Sequence, residues 1–229
     1  EIDTDKKSIF LGSAVGFLGA GGQLILFQAL REGPAYIIFP FVSLYPTLTI
    51  LLSVLALKEK TKPFKWVGIA SSLVAIFFLS HQEPGDFRAN GSMWIIMALL
   101  VFVFWGLQAF VMKFSNQSMK SESIFFYMTI AALTLIPIAW LMTDFNKPIN
   151  LSFSGPWLTA IIQSLNSFGA LLLVYALRHG KAIIVVPLTG LAPVFTILLS
   201  LLIYGLIPSL FLLTGIGVAI IAISILAFE

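Results

Sequence analysis

Gln163, Asn166 and Ser167 stand at helical spacing within the apolar run from Pro156 to Leu177, so their polar groups share one face of one helix. A carboxamide in hydrocarbon needs a protein partner or a wet cavity, because lipid supplies no hydrogen bond. Two uses are open to this trio: glue between helices, at about 0.6 kcal/mol or a little more per bond, or a site that holds a polar solute. Trp105 and Gln108 make a second constellation, spaced to share a face and set away from the ends of their run. An indole there stacks on an apolar or cationic ligand, or fills space between helices. Pro46 and Pro193 lie inside apolar runs, each preceded by a further proline, Pro40 or Pro187. Interior proline costs about 3 kcal/mol in an exposed soluble helix, so these placements point to bent or locally unwound helices, with a plain packing kink as the alternative. Side chains beside such breaks, among them Ser43, Tyr45 and Thr189, would face a cavity at mid-depth. The candidate substrate-binding residues are therefore Trp105, Gln108, Gln163, Asn166, Tyr45 and Thr189, and the candidate hinges are Pro46, Pro193, Pro40 and Pro187.

Catalysis has no comparable footing. Cysteine is absent, which removes disulfides, thiolate metal sites and a cysteine nucleophile. His81 and His179 fall in or beside loops without metal-ligand spacing. No Gly-rich phosphate motif or nucleophile elbow sits between a strand and a helix, so the reading is of a non-enzyme without cofactor or metal. No Asp, Glu, Lys, Arg or His lies near the centre of any apolar run, which disfavours a proton relay within this segment. Asn90-Gly91-Ser92 and Asn150-Leu151-Ser152 match the glycosylation pattern, a weak signal beside a membrane.

The elements that would position these residues follow from composition. The chain is 59% hydrophobic and 10% charged, where a soluble domain carries about 25% charged residues. A bilayer core of about 30 Å takes about 20 apolar residues per helix, and the chain offers about eight such runs. They extend over Ile9 to Leu30, Pro34 to Leu57, Phe64 to Ser80, Met93 to Lys113, Ser121 to Met142, Pro156 to Leu177, Lys181 to Tyr204, and Leu206 to Phe228. The expected fold class is an all-α polytopic membrane protein. Lys6, Lys7, Lys58, Lys60, Lys62, Lys65, Lys113, Lys120, Arg178 and Lys181 collect on one side of that topology, against Arg31, Arg88 and Lys147 on the other. Positive loops stay cytoplasmic, so the C-terminus is expected in the cytoplasm and residues 82–92 outside, in what is read as a bacterial cytoplasmic membrane. Trp66, Trp94, Trp140 and Trp157 at run ends suit the headgroup layer. The net charge of +3 is dispersed among loops, which argues against a nucleic-acid partner.

The chain also repeats itself. The segment from Ser8 to Ser80 matches that from Gly155 to Ala227 without a gap, pairing Ala29-Leu30-Arg31 with Ala176-Leu177-Arg178, Gly33 with Gly180, Pro40 with Pro187, Pro46 with Pro193, and Gly68 with Gly215. Identity is roughly a third, and paired prolines and glycines at one offset are not what apolar low complexity produces by chance. An odd number of runs separates the two starts, so the copies are expected in opposite orientations across the membrane. The first copy lacks counterparts of the Met93 and Ser121 helices, so it is read as a five-helix unit without its first two helices, and the parent protein as having about ten spans. The expected division is 1–81 for the partial first repeat, 82–92 for the linker and 93–229 for the complete second repeat. Gln163, Asn166 and Ser167 are paired with Gly16, Gly19 and Ala20, and this loss of symmetry singles the polar trio out.

Trp105-Gly106 followed by Gln108 and Lys113, with Pro46 inside an apolar run that ends at Lys58-Glu59, resembles the EamA-like permeases of the drug/metabolite transporter superfamily. The second copy departs from that ending, with Gly205-Leu206 in place of the acidic residue. The resemblance implies a ten-helix inverted-repeat carrier or exporter of small organic metabolites, such as amino acids or related compounds, working by alternating access around a central cavity. Its expected partners are the lipid bilayer and a small-molecule substrate, with oligomeric state left open. The alternative is a membrane subunit that binds a partner or lipid without transporting.

Overall fold

The computed structural model of the protein describes residues 2–59, 62–80, 92–146, 151–189, 199, 202 and 209–227. All of its regular elements are helical: α1 (Lys6–Glu32), α2 (Ala35–Val42), α3 (Tyr45–Ala56), α4 (Pro63–Ser80), α5 (Met93–Ser115), α6 (Ser121–Thr134), α7 (Ile136–Leu141), α8 (Leu158–His179), α9 (Ala182–Thr189) and α10 (Leu210–Ala227). A wide turn at Phe153–Trp157 leads into α8. Four stretches are long and apolar enough to cross a membrane: Lys6–Glu32, Met93–Ser115, Ser121–Leu141 and Phe153–His179. Large side chains such as Phe10, Leu73, Phe77, Leu141 and Leu210 point outward, as a chain with lipid for solvent requires. The protein is an integral membrane protein of helical type.

Two of the expected spans are broken, each just before a proline. The run from Pro34 to Leu57 divides into α2 and α3 at Ser43 and Leu44, and Pro46 is the second residue of the new helix. The run from Ser121 to Met142 divides at Leu135, and Pro137 is the second residue of α7. Proline is at home there, because the first N–H groups of a helix have no intrahelical acceptor. Pro40 and Pro187 instead sit inside the short helices α2 and α9, while Pro193 lies outside the described residues, as do residues 82–91 of the expected linker.

α1 packs between α5 and α6, and glycine lets it approach. A Cβ at Gly12 would lie 2.6 Å from Cβ of Tyr127, one at Gly16 would lie 2.6 Å from Cβ of Ala131, and one at Gly22 would lie 2.7 Å from Nε1 of Trp105. Small residues are what bring membrane helices close, since no difference in hydrophobicity drives them together. One apolar cluster joins α1, α2, α5 and α10 through Leu26, Phe41, Trp94, Val101 and Ile223. A second joins α1, α5, α6, α8 and α9 through Val15, Met112, Ile124, Leu177 and Val186. Trp94 departs from its interfacial expectation: it is fully buried, against Gly33, whereas Trp66, Trp140 and Trp157 do face outward.

Polar ties close one face of the bundle. Asp5 caps α1 by accepting from the Ser8 amide at 3.0 Å and its hydroxyl at 2.7 Å. Asp3 accepts from the Lys120 amide at 2.7 Å and the Ser123 hydroxyl at 2.9 Å. Asn116 donates to the Val174 carbonyl at 3.1 Å, Tyr175 to the Glu122 carboxylate at 2.7 Å, and Arg178 to the Met119 carbonyl at 3.2 Å. Two lysines cap helix C-termini, where cations are favoured. Lys65 donates to the Leu226 carbonyl at 2.7 Å, and Lys113 donates to Gly180 O at 2.6 Å and Leu177 O at 3.1 Å. On the opposite face Arg31 donates to the Met142 carbonyl at 3.2 Å.

Helix boundaries fall at positions that the internal sequence match pairs with one another. Ala35 pairs with Ala182 and Val42 with Thr189, the ends of α2 and α9; Pro63 pairs with Leu210 and Ser80 with Ala227, the ends of α4 and α10. α1 and α8 both stop at a glycine, where Gly33 donates to Ala29 O at 2.8 Å and Gly180 to Ala176 O at 2.7 Å. Both glycines are extended (φ −132° and −105°), so close approach, to Trp94 and to Val185 respectively, is what excludes a side chain.

Candidate functional site

A cavity of about 720 Å³ lies among α1, α5, α6, α7 and α8, with Thr189 of α9 at its edge. Gly16, Gly19, Ala20 and Gln23 of α1 form one wall, Trp105 and Gln108 of α5 the floor, and Met128, Thr129, Ala132 and Ala139 of α6 and α7 a second wall. Gln163, Asn166, Ser167 and Ala170 of α8 form the third. The lining extends along α1 as far as Phe27 and along α7 as far as Ala139, toward the face where Arg31 meets Met142. Toward the other face it ends at Phe125 and Leu173, above the level at which Asn116 and Lys113 fasten α8 to α5.

Trp105, Gln108, Gln163, Asn166 and Thr189 all line this one space, although they come from three helices far apart in sequence. Tyr45 is their immediate neighbour. Its ring meets Trp105 edge-on, with centroids 6.0 Å apart and planes at 84°, an arrangement worth about 0.5–1.5 kcal/mol beyond area burial. Its hydroxyl is 2.7 Å from that of Thr189. Thr189 donates to the Val186 carbonyl at 2.7 Å, which leaves Tyr45 as the donor of the shared bond. The Trp105 N–H reaches the Gly19 carbonyl at 3.4 Å. The α3 helix that carries Tyr45 is itself tied to α5, where Thr49 donates to the Gly106 carbonyl at 2.9 Å and Gly106 allows Leu48 to approach.

Gln108 lies flat over α1, where any Cβ at Gly19 would collide with its amide group. The side chains of Gln163, Asn166 and Ser167 make no hydrogen bond with another described residue, and Asn166 and Ser167 are exposed. With Gln23 and Gln108 they line the cavity. Gln23 escaped the sequence reading, yet the signal was present: Gly16, Gly19, Ala20 and Gln23 form one row on α1, paired by the internal sequence match with Gln163, Asn166, Ser167 and Ala170 on α8. Following the row one position further along α1 reaches Gln23. Thr129 has no such signal, because α6 lies outside the matched segments.

Among the described residues no group of His, Asp and Glu is placed to hold a metal ion. Lys113 and Glu59 form an ion pair 4.0 Å apart, with side chains only 15% and 12% exposed. Lys58 takes a left-handed φ of 53°, and the following Glu59 amide returns to the Ser53 carbonyl at 3.2 Å, which turns the Glu59 carboxylate toward α5. This cluster fastens the closed face and does not line the cavity.

Comparison with known proteins agrees with this architecture. The uncharacterized protein MJ1333.1 of Methanocaldococcus jannaschii is 35% identical over 79 residues, which is 34% of this chain and 58% of that protein. The match thus spans little more than half the length of that relative. A solved crystal structure superposes with a TM-score of 0.59 at 17% identity, over 95% of this chain and 84% of the other, a likeness of fold alone. The model of the EamA-like transporter family matches residues 2–81 and 92–228, on either side of the segment that the sequence offered as a linker. With nearly all of its length matched in two blocks, the chain belongs to the EamA-like transporter family, within the drug/metabolite transporter superfamily.

Proposed function

We propose that this protein carries small organic metabolites by alternating access around the cavity between α1, α5, α6 and α8. The observation that carries the reading is the pairing across that cavity: Gly16, Gly19 and Ala20 of α1 face the same space as their sequence counterparts Gln163, Asn166 and Ser167 of α8. A cavity built by two diverged copies of one unit is what an inverted-repeat carrier needs, with small residues making room on one side and hydrogen-bonding groups on the other. Trp105, Gln108, Gln163, Asn166 and Thr189 contact the substrate in this proposal, and Tyr45, which the sequence also offered, holds Trp105 and Thr189 from behind. Pro40 and Pro46 flank the α2–α3 break about which the two halves move, with Pro187 and Pro193 proposed as hinges at the matched positions.

The supporting geometry is directional. The cavity reaches toward the Arg31 end, while the face bearing Lys6, Lys7, Lys113, Lys120 and Arg178 is tied shut. By the positive-inside rule the tied face is cytoplasmic. The C-terminus is then cytoplasmic in a bacterial inner membrane, and the conformation is open outward. The proposed organisation is a first repeat within 1–81, a linker at 82–92 and a second repeat within 93–229, about eight membrane helices in all.

Solute exchange in liposomes tests the reading. Asn166→Ala and Gln163→Ala are expected to raise the half-saturating substrate concentration by roughly fivefold each, the equivalent of one lost hydrogen bond of about 1 kcal/mol. Folding and insertion should be unchanged, since neither residue bonds another helix. A folded, correctly inserted protein that exchanges none of a panel of amino acids, nucleobases, sugars and amides would instead favour a non-transporting membrane subunit.

A further inference from the structure

The cavity has a chemical bias that narrows the substrate, and the inference rests on the carrier reading above. None of the described residues lining it is ionisable. The sequence from Ala182 to Phe228 likewise contains no Asp, Glu, Lys, Arg or His. Most of the lining is apolar, with Leu24, Phe27, Met128, Leu135 and Ile136 among it, and its polar groups are neutral carboxamides and hydroxyls: Gln23, Gln108, Gln163 and Asn166, with Thr129 and Thr189, beside Trp105. The carboxamides make no hydrogen bond with another described residue, so both their donor and acceptor edges are available.

We infer that this site selects uncharged, planar solutes that carry an amide-type edge, such as a primary carboxamide or a nucleobase, and rejects isosteric cations, anions and zwitterions. A charged solute entering the cavity would lose hydration without meeting an opposite charge, and the cost of an unpaired charge in a low-dielectric space exceeds anything an amide returns. A neutral amide loses less and recovers it, because a side-chain carboxamide pairs with a solute amide donor to acceptor and acceptor to donor. Trp105 adds a flat apolar surface at the floor, fixed from behind by Tyr45, against which a planar ring stacks. The zwitterion of an ordinary amino acid carries two formal charges and fits this lining poorly.

Benzamide, benzamidine and benzoate test this directly, since they share one skeleton and at neutral pH carry no charge, a positive charge and a negative charge. Equilibrium dialysis of the labelled compounds against the full chain in detergent is expected to give benzamide the lowest dissociation constant by at least about tenfold. Equal or tighter binding of either charged isostere overturns the inference, as does the absence of saturable benzamide binding in the millimolar range. Gln163→Glu is expected to raise affinity for benzamidine over the parent, and Asn166→Asp serves the same end should the first variant fold poorly. The parent comparison decides the matter without either variant. Counterflow of benzamide in liposomes separates the two readings. Selective binding without counterflow refutes the carrier and leaves the selectivity standing, whereas counterflow of a charged solute in preference to benzamide refutes the selectivity and leaves the carrier.

Discussion

Lys113→Met removes a cation on which three parts of the closed face converge while keeping the length of the side chain. The Lys113 ammonium donates to Gly180 O at 2.6 Å and Leu177 O at 3.1 Å, the last carbonyls of α8, and lies 4.0 Å from a carboxylate oxygen of Glu59. Hydrogen bonds from charged donors are worth about 1.5–3 kcal/mol each. Because one ammonium serves both carbonyls and both side chains keep some solvent contact, the combined loss is about 3 kcal/mol, at the lower end of the sum. The other Glu59 oxygen is buried without a hydrogen-bond partner, so the variant leaves that carboxylate wholly uncompensated, and Glu59→Gln should recover about 1 kcal/mol of the deficit in the double variant. The assay is reversible denaturant unfolding in detergent, joined to hydrogen exchange at the amides of Gly180 and Lys181. Exchange there should quicken in Lys113→Met, while the amides near Asp5 at the N-terminus of α1 are unaffected. A Lys113→Met protein within about 0.5 kcal/mol of the parent would mean that water replaces the ammonium without loss and that the α8 end is not held by it.

Gly22→Val places a branched side chain where even a Cβ would lie 2.7 Å from the Trp105 indole nitrogen; overpacking of this kind costs about 1–3 kcal/mol and should shift the tryptophan emission. Gly169→Ala is its control, since nothing lies within 4 Å of the added carbon, and a helix-interior alanine should be neutral or stabilising by up to about 1 kcal/mol. Tyr45→Phe loses the bond to Thr189 and should destabilise the protein by about 1 kcal/mol; an unchanged unfolding midpoint would mean that the hydroxyl is equally satisfied by water. Asp3 is held below the ordinary aspartate value of 3.8 chiefly by the Lys120 amide and then the Ser123 hydroxyl, and Asp5 below it by the Ser8 hydroxyl and then the Ser8 amide. Carboxylates whose folded values are depressed stabilise fully above the unfolded value and cease to do so as the pH falls through the lower folded one. The Ser8 and Lys120 amide resonances should therefore titrate with midpoints below 3.8, and a midpoint at or above it would refute the docking of the N-terminal segment.

Most of the helices were legible because membrane spans are written in a coarse alphabet: long apolar runs, polar punctuation, and glycine or proline at the ends. Lys6–Glu32 and Met93–Ser115 emerge within a few residues of the runs expected at Ile9 and Met93. The α2–α3 break was legible in kind but not in place. Pro46 signals a missing donor, yet where the helix parts depends on which neighbour accepts the bend, and here the break falls at Ser43 and Leu44, both buried. Trp94 was misplaced for a related reason. A tryptophan near a run end suits the headgroup layer by its own chemistry, but Gly33 supplies a flat surface at that depth, and the ring packs inward against it. The site residues share one property that sequence does reveal, a polar group where a span should have none; what it withholds is whether that group meets a partner or an empty space.

The internal sequence match bears on that last question. The row on α1 has Gly16, Gly19 and Ala20 where the matched row on α8 has Gln163, Asn166 and Ser167, and both rows line the same space. The α1 row cannot simply acquire the polar set. A Cβ at Gly16 would lie 2.6 Å from Cβ of Ala131 and from the Met128 carbonyl oxygen, so a side chain there would displace a helix, whereas one at Gly19 would push the flexible Gln108 amide into the space. The α8 row is under no such constraint, because Asn166 and Ser167 are exposed and Gly169 has open space beside it. Close packing on one side therefore leaves the other as the place where hydrogen-bonding groups can be added or exchanged, and variation in what the site accepts should enter through α8 rather than α1.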